Sequence, residues 1–301
     1  MKRASSVTAL GLGLATIAAL AVPASGGLTS APLGGPILPV RTPQGEVLRN
    51  VKHQVTTQNW SGYAVAKYET GSNYTSASAT WVVPTVTAPD GLSTGYSSSW
   101  VGIGGFCMNV KCTKVDRSLI QLGTEQDASS SGTNYYAWWE TLPQGSQLIS
   151  SVAIHPGDTI VASLSDGPNV KNAKSGPGGG KGGSSGGRKG QSWTLSLTDT
   201  TTGYGWSDTM SYDSSLASAE WIEEAPYSGG ILPLADFGTA TFDLGYANGV
   251  SPGLAQSNGI VMMDPNEQTS NISLPDSDFD GFNACWGDGT SLASCSQPAS
   301  S

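Results

Sequence analysis

The chain has few of the residues on which many hydrolytic sites depend. Its 301 residues include only two histidines, His53 and His155, and the first lies in a segment that we expect to be removed. A zinc site built on several histidines is therefore not expected, and a Ser-His-Asp triad would have to rest on His155 alone. His155 stands between a strand-like run and a Pro-Gly turn, which favours a structural role.

Cysteine is also scarce, and its spacing is informative. The chain has four cysteines in two close pairs, Cys107 with Cys112 and Cys285 with Cys295. In an exported chain this spacing suggests two short-loop disulfides, although four cysteines allow three pairings. A catalytic cysteine is correspondingly not expected.

Positive charge is absent from the last third of the chain. No Lys or Arg follows Lys189, whereas Asp and Glu recur as far as Asp288, and the formal net charge is −9. So acidic a surface argues against nucleic acid or an anionic membrane as a partner. It suits a secreted protein that works at low pH, where protonation relieves the repulsion.

Long apolar runs are confined to the N-terminus. Lys2 and Arg3 precede an apolar run and then small residues around Ala24, which predicts a secretory signal peptide over residues 1–24. No later stretch approaches the roughly 18 apolar residues of a membrane helix. We therefore expect a soluble, extracellular protein, most simply a monomer.

Residues 25–56 are rich in Pro and Gly and more basic than the rest of the chain. This composition predicts a pro-segment or a linker, with a disordered tail as the alternative. As a pro-segment, its cations would cover an acidic cleft until low pH protonates the carboxylates and weakens the pairing.

Residues 57–301 predict one all-β domain. Short runs rich in Val, Ile, Thr, Trp and Tyr alternate with turn residues, and no stretch shows a sustained helical period. This pattern predicts a sandwich or barrel of antiparallel strands. Residues 167–190 break it, because they are rich in Gly and carry five cations. They predict a flexible, exposed hairpin insertion between two strands.

The stretch SAEWIEEAP, residues 218–226, combines carboxylates with apolar residues. In a strand, Glu220, Ile222 and Glu224 share one face, and Trp221 and Glu223 share the other. A carboxylate beside apolar surface and a second carboxylate has a raised pKa, which suits proton transfer. The alternative is a strand edge with solvated Glu side chains.

Two further strands place polar residues among apolar ones. Gln121 occupies an inward position in SLIQLGTEQD, and Tyr136, Trp138 and Glu140 share a face in NYYAWWETL. A buried amide without partners costs about 1 to 3 kcal/mol, so an inward Gln must find partners or have a function.

If these faces converge, they form one site. Its members would be Gln121, Glu140 and Glu224 in an aromatic cleft with Trp60 and Trp100. A Glu can activate water as a general base, and a Gln N–H can stabilise the oxyanion formed when water attacks a carbonyl. This combination suits amide hydrolysis without a covalent intermediate.

Five stretches also carry a resemblance to a known family. In order, they are QNWSGYA, SSWVGIGG, SLIQLGTEQD, YYAWWETLP and SAEWIEEAP. They resemble the NW(A/G)G, AWVGIDG, ILQTG, AWYEWYP and AE(W/F)I-x-E motifs of the glutamic peptidases, the eqolisins of peptidase family G1. The chain, like that family, has no Asp-Thr-Gly or Asp-Ser-Gly. The resemblance implies a lectin-like sandwich of two antiparallel sheets with a catalytic Gln and Glu on a concave face.

The resemblance also implies roles for individual residues. The catalytic Gln falls on Gln121 and the catalytic Glu on Glu224, with Glu220 at the first acidic place of that motif. The supporting Glu falls on Glu140. The substrate cleft falls on three tryptophans, Trp60, Trp100 and Trp138.

The implied mechanism is that Glu224 takes a proton from water, Gln121 stabilises the oxyanion and Glu140 orients Gln121 or the water. Protein or peptide would be the substrate, and no cofactor is expected. Two departures concern nearby acids: Gly104 replaces an Asp of the family motif, and Glu125 replaces another. We expect these changes to alter the pH optimum and substrate preference.

The stretch PDSDFDGF has the D-x-D-x-D-G order of a calcium loop, in Asp276, Asp278, Asp280 and Gly281. The closing position, which a bidentate Glu fills in such loops, is Gly287. The sequence therefore favours an acidic turn before a final strand, with no metal site.

Two other functions remain open at this stage. A glycoside hydrolase is one, because lectin-like sandwiches host paired-Glu sites and aromatic strands stack on sugars. That chemistry gives Gln121 no obvious task. A secreted binding module without catalytic activity is the other.

Overall fold

The regular alternation of the sequence produces an almost entirely β structure. The computed structural model describes residues 34–167, 190–289 and 292–299. These residues belong to a single unit of the chain, Ala31–Ser301. The predicted signal peptide and most of the predicted insertion lie outside the described residues. None of the helices in the described part of the chain is long and apolar enough to cross a membrane.

The described part of the chain contains fifteen strands and two short helical turns. The helical turns are α1 (Lys67–Thr70) and a 3-10 turn (Gln256–Asn258). The strands are β1 (Val55–Thr57), β2 (Trp60–Ala66), β3 (Ser76–Val82), β4 (Thr94–Gly104), β5 (Leu119–Ser129), β6 (Gly132–Thr141), β7 (Gln147–Ala153), β8 (Thr159–Gly167), β9 (Ser192–Asp199), β10 (Gly205–Ser211), β11 (Ser218–Glu224), β12 (Thr239–Ala247), β13 (Gly259–Met263), β14 (Gln268–Ile272) and β15 (Phe282–Asp288).

Strand pairing runs continuously in the order β10-β9-β8-β3-β12-β15-β14-β13-β2-β11-β4-β5-β6-β7. These neighbours are antiparallel, and β1 adds a parallel pairing to β13. The ladder folds back on itself into two layers. Across the layers, Trp81 of β3 donates to Thr124 Oγ1 of β5 at 3.0 Å, and Trp221 of β11 donates to the Ser78 carbonyl of β3 at 2.8 Å. The prediction of an antiparallel sandwich is confirmed.

The main core lies between the two layers and is rich in aromatic side chains, including Trp81, Trp193, Trp221, Phe242 and Phe282. The rings of Phe242 and Phe282 stack with centroids 5.0 Å apart. A second apolar cluster covers the other face of the layer that contains β2, β11, β4, β5 and β6; it includes Ile37, Trp60, Trp100, Trp138 and Ile222. This second cluster surrounds the predicted site.

The strands that flank the predicted insertion pair with each other, because Gly167 of β8 lies opposite Ser192 of β9. Sequence reasoning did not predict β10 or β14. Their residues, GWSDTMS and QTSNI, are mostly polar, so neither strand shows an apolar alternation.

The disulfides Cys107–Cys112 and Cys285–Cys295 form as predicted. Both join cysteines close in sequence, so each closes a local loop.

The described part of the predicted pro-segment packs against the domain. Ile37 is buried in the second apolar cluster. Pro39 forms a β-bridge with Thr57, and Val55, near the end of the segment, pairs with Ile260 of β13. The segment therefore runs along the domain in an extended conformation and pairs with it through a β-bridge and through strand β1.

The expectation that its cations cover an acidic cleft is wrong for both arginines. Arg41 donates to the Cys112 carbonyl at 2.7 Å, and Arg49 donates to the Val110 carbonyl at 3.0 Å. Guanidinium groups satisfy several carbonyl acceptors at once, and the disulfide loop presents such acceptors. The arginines therefore fasten the segment to the loop at residues 107–112.

Candidate active site

Four neighbouring strands bring the predicted polar residues onto one face. Gly102 of β4 lies opposite Glu220 of β11 on one side and opposite Gln121 of β5 on the other. Gln121 in turn lies opposite Glu140 of β6. A row across the sheet therefore runs Glu220, Gly102, Gln121, Glu140.

Two more rows follow on the same face, because side chains repeat every second residue along each strand. The next row contains Ile222, Trp100, Gly123 and Trp138. The third row contains Trp60, Glu224, Ser98, Glu125 and Tyr136. Gln121 and Glu224 thus face the same side from strands separated by β4.

The indole of Trp100 lies across this face because its neighbours lack side chains. A Cβ on Gly102 would lie 2.9 Å from the Trp100 ring. A Cβ on Gly123 would lie 2.5 Å from the Cβ of Trp100. Trp60 meets Trp100 edge-on, with ring centroids 4.9 Å apart. The two glycines therefore provide the space for an aromatic wall between Gln121 and Glu224.

Glu224 is fully buried and is held by three donors. Trp100 Nε1 donates to its Oε2 at 2.8 Å, whereas Asn59 Nδ2 at 3.3 Å and the Gly35 backbone N–H at 3.2 Å donate to Oε1. Burial, and then the charge of Glu140, raise the pKa of Glu224 well above its usual range. Hydrogen bonds from Trp100 and Gly35 oppose this rise.

Gln121 is oriented by Glu140. Its Nε2 donates to Glu140 Oε2 at 2.7 Å, and its Oε1 has no hydrogen-bond partner among the described residues. One amide hydrogen and the carbonyl oxygen thus remain available. Burial raises the pKa of Glu140 to about 8, although hydrogen bonds from Gln121 and from the backbone of Gly34 and Ser146 lower it.

Residues 34–36, which we call the strap, lie in the cleft over these groups. A Cβ on Gly34 would overlap Gln121 Nε2 and would lie 2.7 Å from Glu140 Oε2. The next residue, Gly35, donates to Glu224, and the Pro36 carbonyl accepts from Asn59 Nδ2 at 3.3 Å. The strap also borders a groove with the side chains of Leu142, Tyr227 and Ile231. The cleft carboxylates therefore receive backbone N–H groups rather than the expected cations.

Two other residues of the predicted site, Trp138 and Glu220, do not contact Gln121 or Glu224 through the hydrogen bonds of the described structure. Trp138 is buried on the same face, and its Nε1 donates to Ser98 Oγ at 3.1 Å. Glu220 is buried at the far end of the first row. Burial raises its pKa, and the charge of Asp116 raises it further. Glu220 shares a face with Glu224, but the charged group that acts on it is Asp116, which is not a member of the predicted site.

Glu223 confirms the alternation, because it points to the opposite face, into the core between the layers. Its Oε2 accepts from Ser99 Oγ at 2.6 Å. Burial raises its pKa to about 7, against hydrogen bonds from Ser99 and Ser97.

Sequence reasoning missed Asn59, Gly102 and Gly123. Asn59 Oδ1 accepts from the Leu38 backbone at 2.9 Å while its Nδ2 reaches Glu224 and Pro36. Its place directly before Trp60 in the NWSG motif was the available signal. The glycines gave no signal of their own, because their effect depends on where the Trp100 ring lies.

Glu125, which stands where the family motif has an Asp, keeps a carboxyl group near the site. Glu125 is buried in the row of Glu224, and burial followed by the charge of Asp127 raises its pKa.

His155 has a structural contact, as expected, since its Nδ1 lies 3.3 Å from Asp158 Oδ2.

The site combines a buried carboxylate, Glu224, with an amide, Gln121, that Glu140 holds by a hydrogen bond. A carboxylate can act as a general base and an amide N–H can stabilise an oxyanion. Comparison with known proteins identifies the class of this chain. The model of the Peptidase A4 family matches residues 58–171 and 187–280, more than half of the chain. The chain belongs to this family, the eqolisins, whose members are glutamic peptidases that hydrolyse peptide bonds. The unmatched gap falls within the Gly-rich insertion.

Individual relatives agree. The chain is 25% identical to Aspergillopepsin-2 of Aspergillus niger over 233 residues, which is 71% of this chain and 73% of that protein. It is 31% identical to Scytalidopepsin B of Scytalidium lignicola over 116 residues, 38% of each chain. The solved structure of scytalido-glutamic peptidase with a transition state analog inhibitor has 21% identity, and the alignment covers 76% of this chain and 98% of that chain with a TM-score of 0.55. That likeness supports the sandwich fold.

Proposed function

We propose that this peptidase is a secreted acid endopeptidase in which Gln121 and Glu224 activate water. The observation that carries the proposal is the shared face of the two side chains. Glu140 fixes the Gln121 amide, and Trp100 fixes the Glu224 carboxyl. Family membership favours this function over a glycoside hydrolase or a binding module.

The proposed reaction uses one carboxylate twice. Ionised Glu224 removes a proton from water as the water oxygen bonds to the peptide carbonyl carbon. The carbonyl oxygen becomes an oxyanion and accepts a hydrogen bond from the second Nε2 hydrogen of Gln121. Glu224 then gives the proton to the leaving nitrogen as the C–N bond breaks. The products are a carboxylic acid and an amine, and the carboxylate is regenerated.

The strap supports the prediction of an inactive precursor. Its backbone lies against Gln121, Glu140 and Glu224, where a substrate backbone must lie for the proposed reaction. A related solved structure is that of scytalido-glutamic peptidase with a peptide-based transition state analog, which fits a cleft that accepts a peptide. We infer that the chain is latent while the strap stays in the cleft.

Release of the strap also explains how a strongly desolvated Glu224 serves as a base. With the strap in place, burial is the largest cause of its raised pKa. Water entering the open cleft reduces this desolvation, so the pKa falls towards the acid range and the carboxylate ionises there.

One assay tests this function. Purified protein, before and after removal of residues preceding Thr56, is incubated with a denatured protein at acid and neutral pH. Inhibitors of aspartic, serine and metalloproteases are present. We expect cleavage at acid pH that survives all of them and is faster after removal. Absence of cleavage at every pH in both forms would contradict the proposal.

A further inference from the structure

Three carboxylates from separate parts of the chain meet away from the cleft. Asp243 belongs to β12, and Asp276 and Asp280 belong to the turn that precedes β15. One oxygen of each lies within 4.8 Å of the others. Asp243 comes from a place where β12 shifts register against β3, between Asp243 and Tyr246. The bulge directs this carboxylate towards the turn.

Two of these carboxylates are buried without sufficient partners. Asp276 is 3% exposed and Asp280 is 7% exposed. Asp276 Oδ2 and Asp280 Oδ1 accept no hydrogen bond within the described part of the chain. A buried carboxylate oxygen is costly unless a donor or a cation compensates it.

Among the described residues, no cation of the protein supplies that compensation. Across residues 34–167, 190–289 and 292–299, the one ion pair joins His155 to Asp158. The sequence has no Lys or Arg beyond Lys189 that could approach from the neighbouring strands. Asp278, in the same turn, adds a further negative charge.

The turn is organised around the carboxylates. The Asp280 backbone N–H donates to Asp276 Oδ1 at 3.2 Å, and the Asp276 N–H donates to the Gly281 carbonyl at 3.0 Å. A Cβ on Gly281 would overlap Asp276 Oδ2 and would lie 3.0 Å from Asp243 Oδ1. Gly281 therefore leaves open the space between these two carboxylates.

We propose that Asp243, Asp276 and Asp280 bind a calcium ion. Calcium prefers oxygen ligands at about 2.3 to 2.6 Å, so oxygens on opposite sides of one ion lie about 5 Å apart. The observed grouping within 4.8 Å fits that span. The cluster contains carboxylates and neither His nor Cys, which disfavours zinc.

The structure changes the expectation drawn from the sequence. The loop pattern lacks a closing Glu because Gly287 holds that position. Asp243 supplies a carboxylate from another strand instead, so the ligands are not confined to one loop. The ion would join the β12 bulge to the turn. Gly245 of that bulge donates to the Asp280 carbonyl at 3.0 Å and packs beside Trp221 of β11.

Calcium binding to the full chain tests this inference without an activity readout. Chelator-treated protein near neutral pH is titrated with CaCl₂ while bound calcium is measured by equilibrium dialysis and the Tm by calorimetry. We expect about one bound ion and a rise in Tm. Asp276→Asn and Asp280→Asn should each weaken binding at least tenfold. Asp288→Asn, at an exposed acid of β15, should bind as the wild type does.

The variants also separate a metal site from a merely repulsive cluster. In chelator, removal of one charge relieves repulsion, so both Asn variants should melt at or above the wild-type Tm. In excess calcium they should melt below it. Asp243→Asn, on a different element, provides an independent test should either turn variant fail to fold. The inference is overturned if the wild type binds no calcium at concentrations on the order of 10 mM. It is also overturned if all three variants bind calcium as tightly as the wild type does.

Discussion

Trp100 Nε1 donates a hydrogen bond to Glu224 Oε2 at 2.8 Å, from one strand of the sheet to its neighbour. The contact exists because Gly102 and Gly123 leave the indole room to lie along the face. It gives the proposed base a donor that favours its ionised form. The acid range of activity should therefore depend on this tryptophan.

Trp100→Phe keeps an aromatic ring and removes the donor. Hydrogen bonds to charged groups contribute about 1.5 to 3 kcal/mol, so we expect peptidase activity to fall about 10- to 100-fold. Without the donor the pKa of Glu224 rises, and the acid limb of the pH–rate profile moves to higher pH.

The control for this variant is Trp138→Phe. Trp138 Nε1 donates to the neutral Ser98 hydroxyl, so its loss should cost less than tenfold and leave the acid limb in place. Equal pH profiles for Trp100→Phe and wild type would contradict the assigned role of the indole.

The strap offers a matched pair of glycine substitutions. A Cβ at Gly34 would collide with Gln121 and Glu140, whereas a Cβ at Gly35 meets nothing within 4 Å. Gly34→Ala should displace the strap and raise the activity of the uncleaved chain, and Gly35→Ala should leave the chain latent. Initial rates are measured on protein whose intact N-terminus is confirmed by mass spectrometry. Identical latency of the two variants would show that the strap does not control access.

Stability should decrease as pH rises from the acid range. Burial raises the pKa of Glu223 from 4.5 to about 7, so the folded state holds its proton where the unfolded state has lost it. This contribution is fully present below about pH 4.5 and is lost as the pH rises through about 7. Its size is on the order of 3 kcal/mol, at about 1.4 kcal/mol per pKa unit.

Glu223→Gln tests that contribution, because an amide keeps the shape of the protonated acid without titrating. The free energy of unfolding from denaturant titrations should fall less steeply between pH 4.5 and 7 in the variant than in wild type. Asp288→Asn, at an exposed acid, should retain the wild-type slope. A Glu223→Gln slope equal to wild type would exclude Glu223 as a source of the pH dependence.

Much of the site could be predicted because strand alternation is a local rule. The shared face of Glu220 and Glu224, and the face that Gln121 shares with Leu119, follow from a two-residue period. The partners of these residues could not be predicted in the same way. The contacts of Asn59 depend on how residues 36–38 pack against it. The acidic cluster depends on a bulge that brings Asp243 to a turn more than thirty residues later in the chain.

The fold shows the same division. Strands with apolar alternation were identified from sequence, whereas β10 and β14 were missed because their mostly polar residues give no periodic signal. The described part of the predicted pro-segment was expected to act through its charges. It instead contacts the cleft through backbone N–H groups, which every residue except proline carries and which composition cannot reveal.

Comparison of Glu224→Gln with Glu223→Gln in mature protein at acid pH tests the role of Glu224 as the base. The two substitutions make the same chemical change at adjacent residues of one strand, on opposite faces. We expect Glu224→Gln, like Gln121→Ala, to lose at least 1,000-fold in kcat/KM on a peptide substrate, about 4 kcal/mol of transition-state stabilisation, and Glu223→Gln to stay within a few-fold of wild type. Substantial activity in Glu224→Gln, or equal loss in both Glu variants, would contradict the assignment of Glu224 as the base.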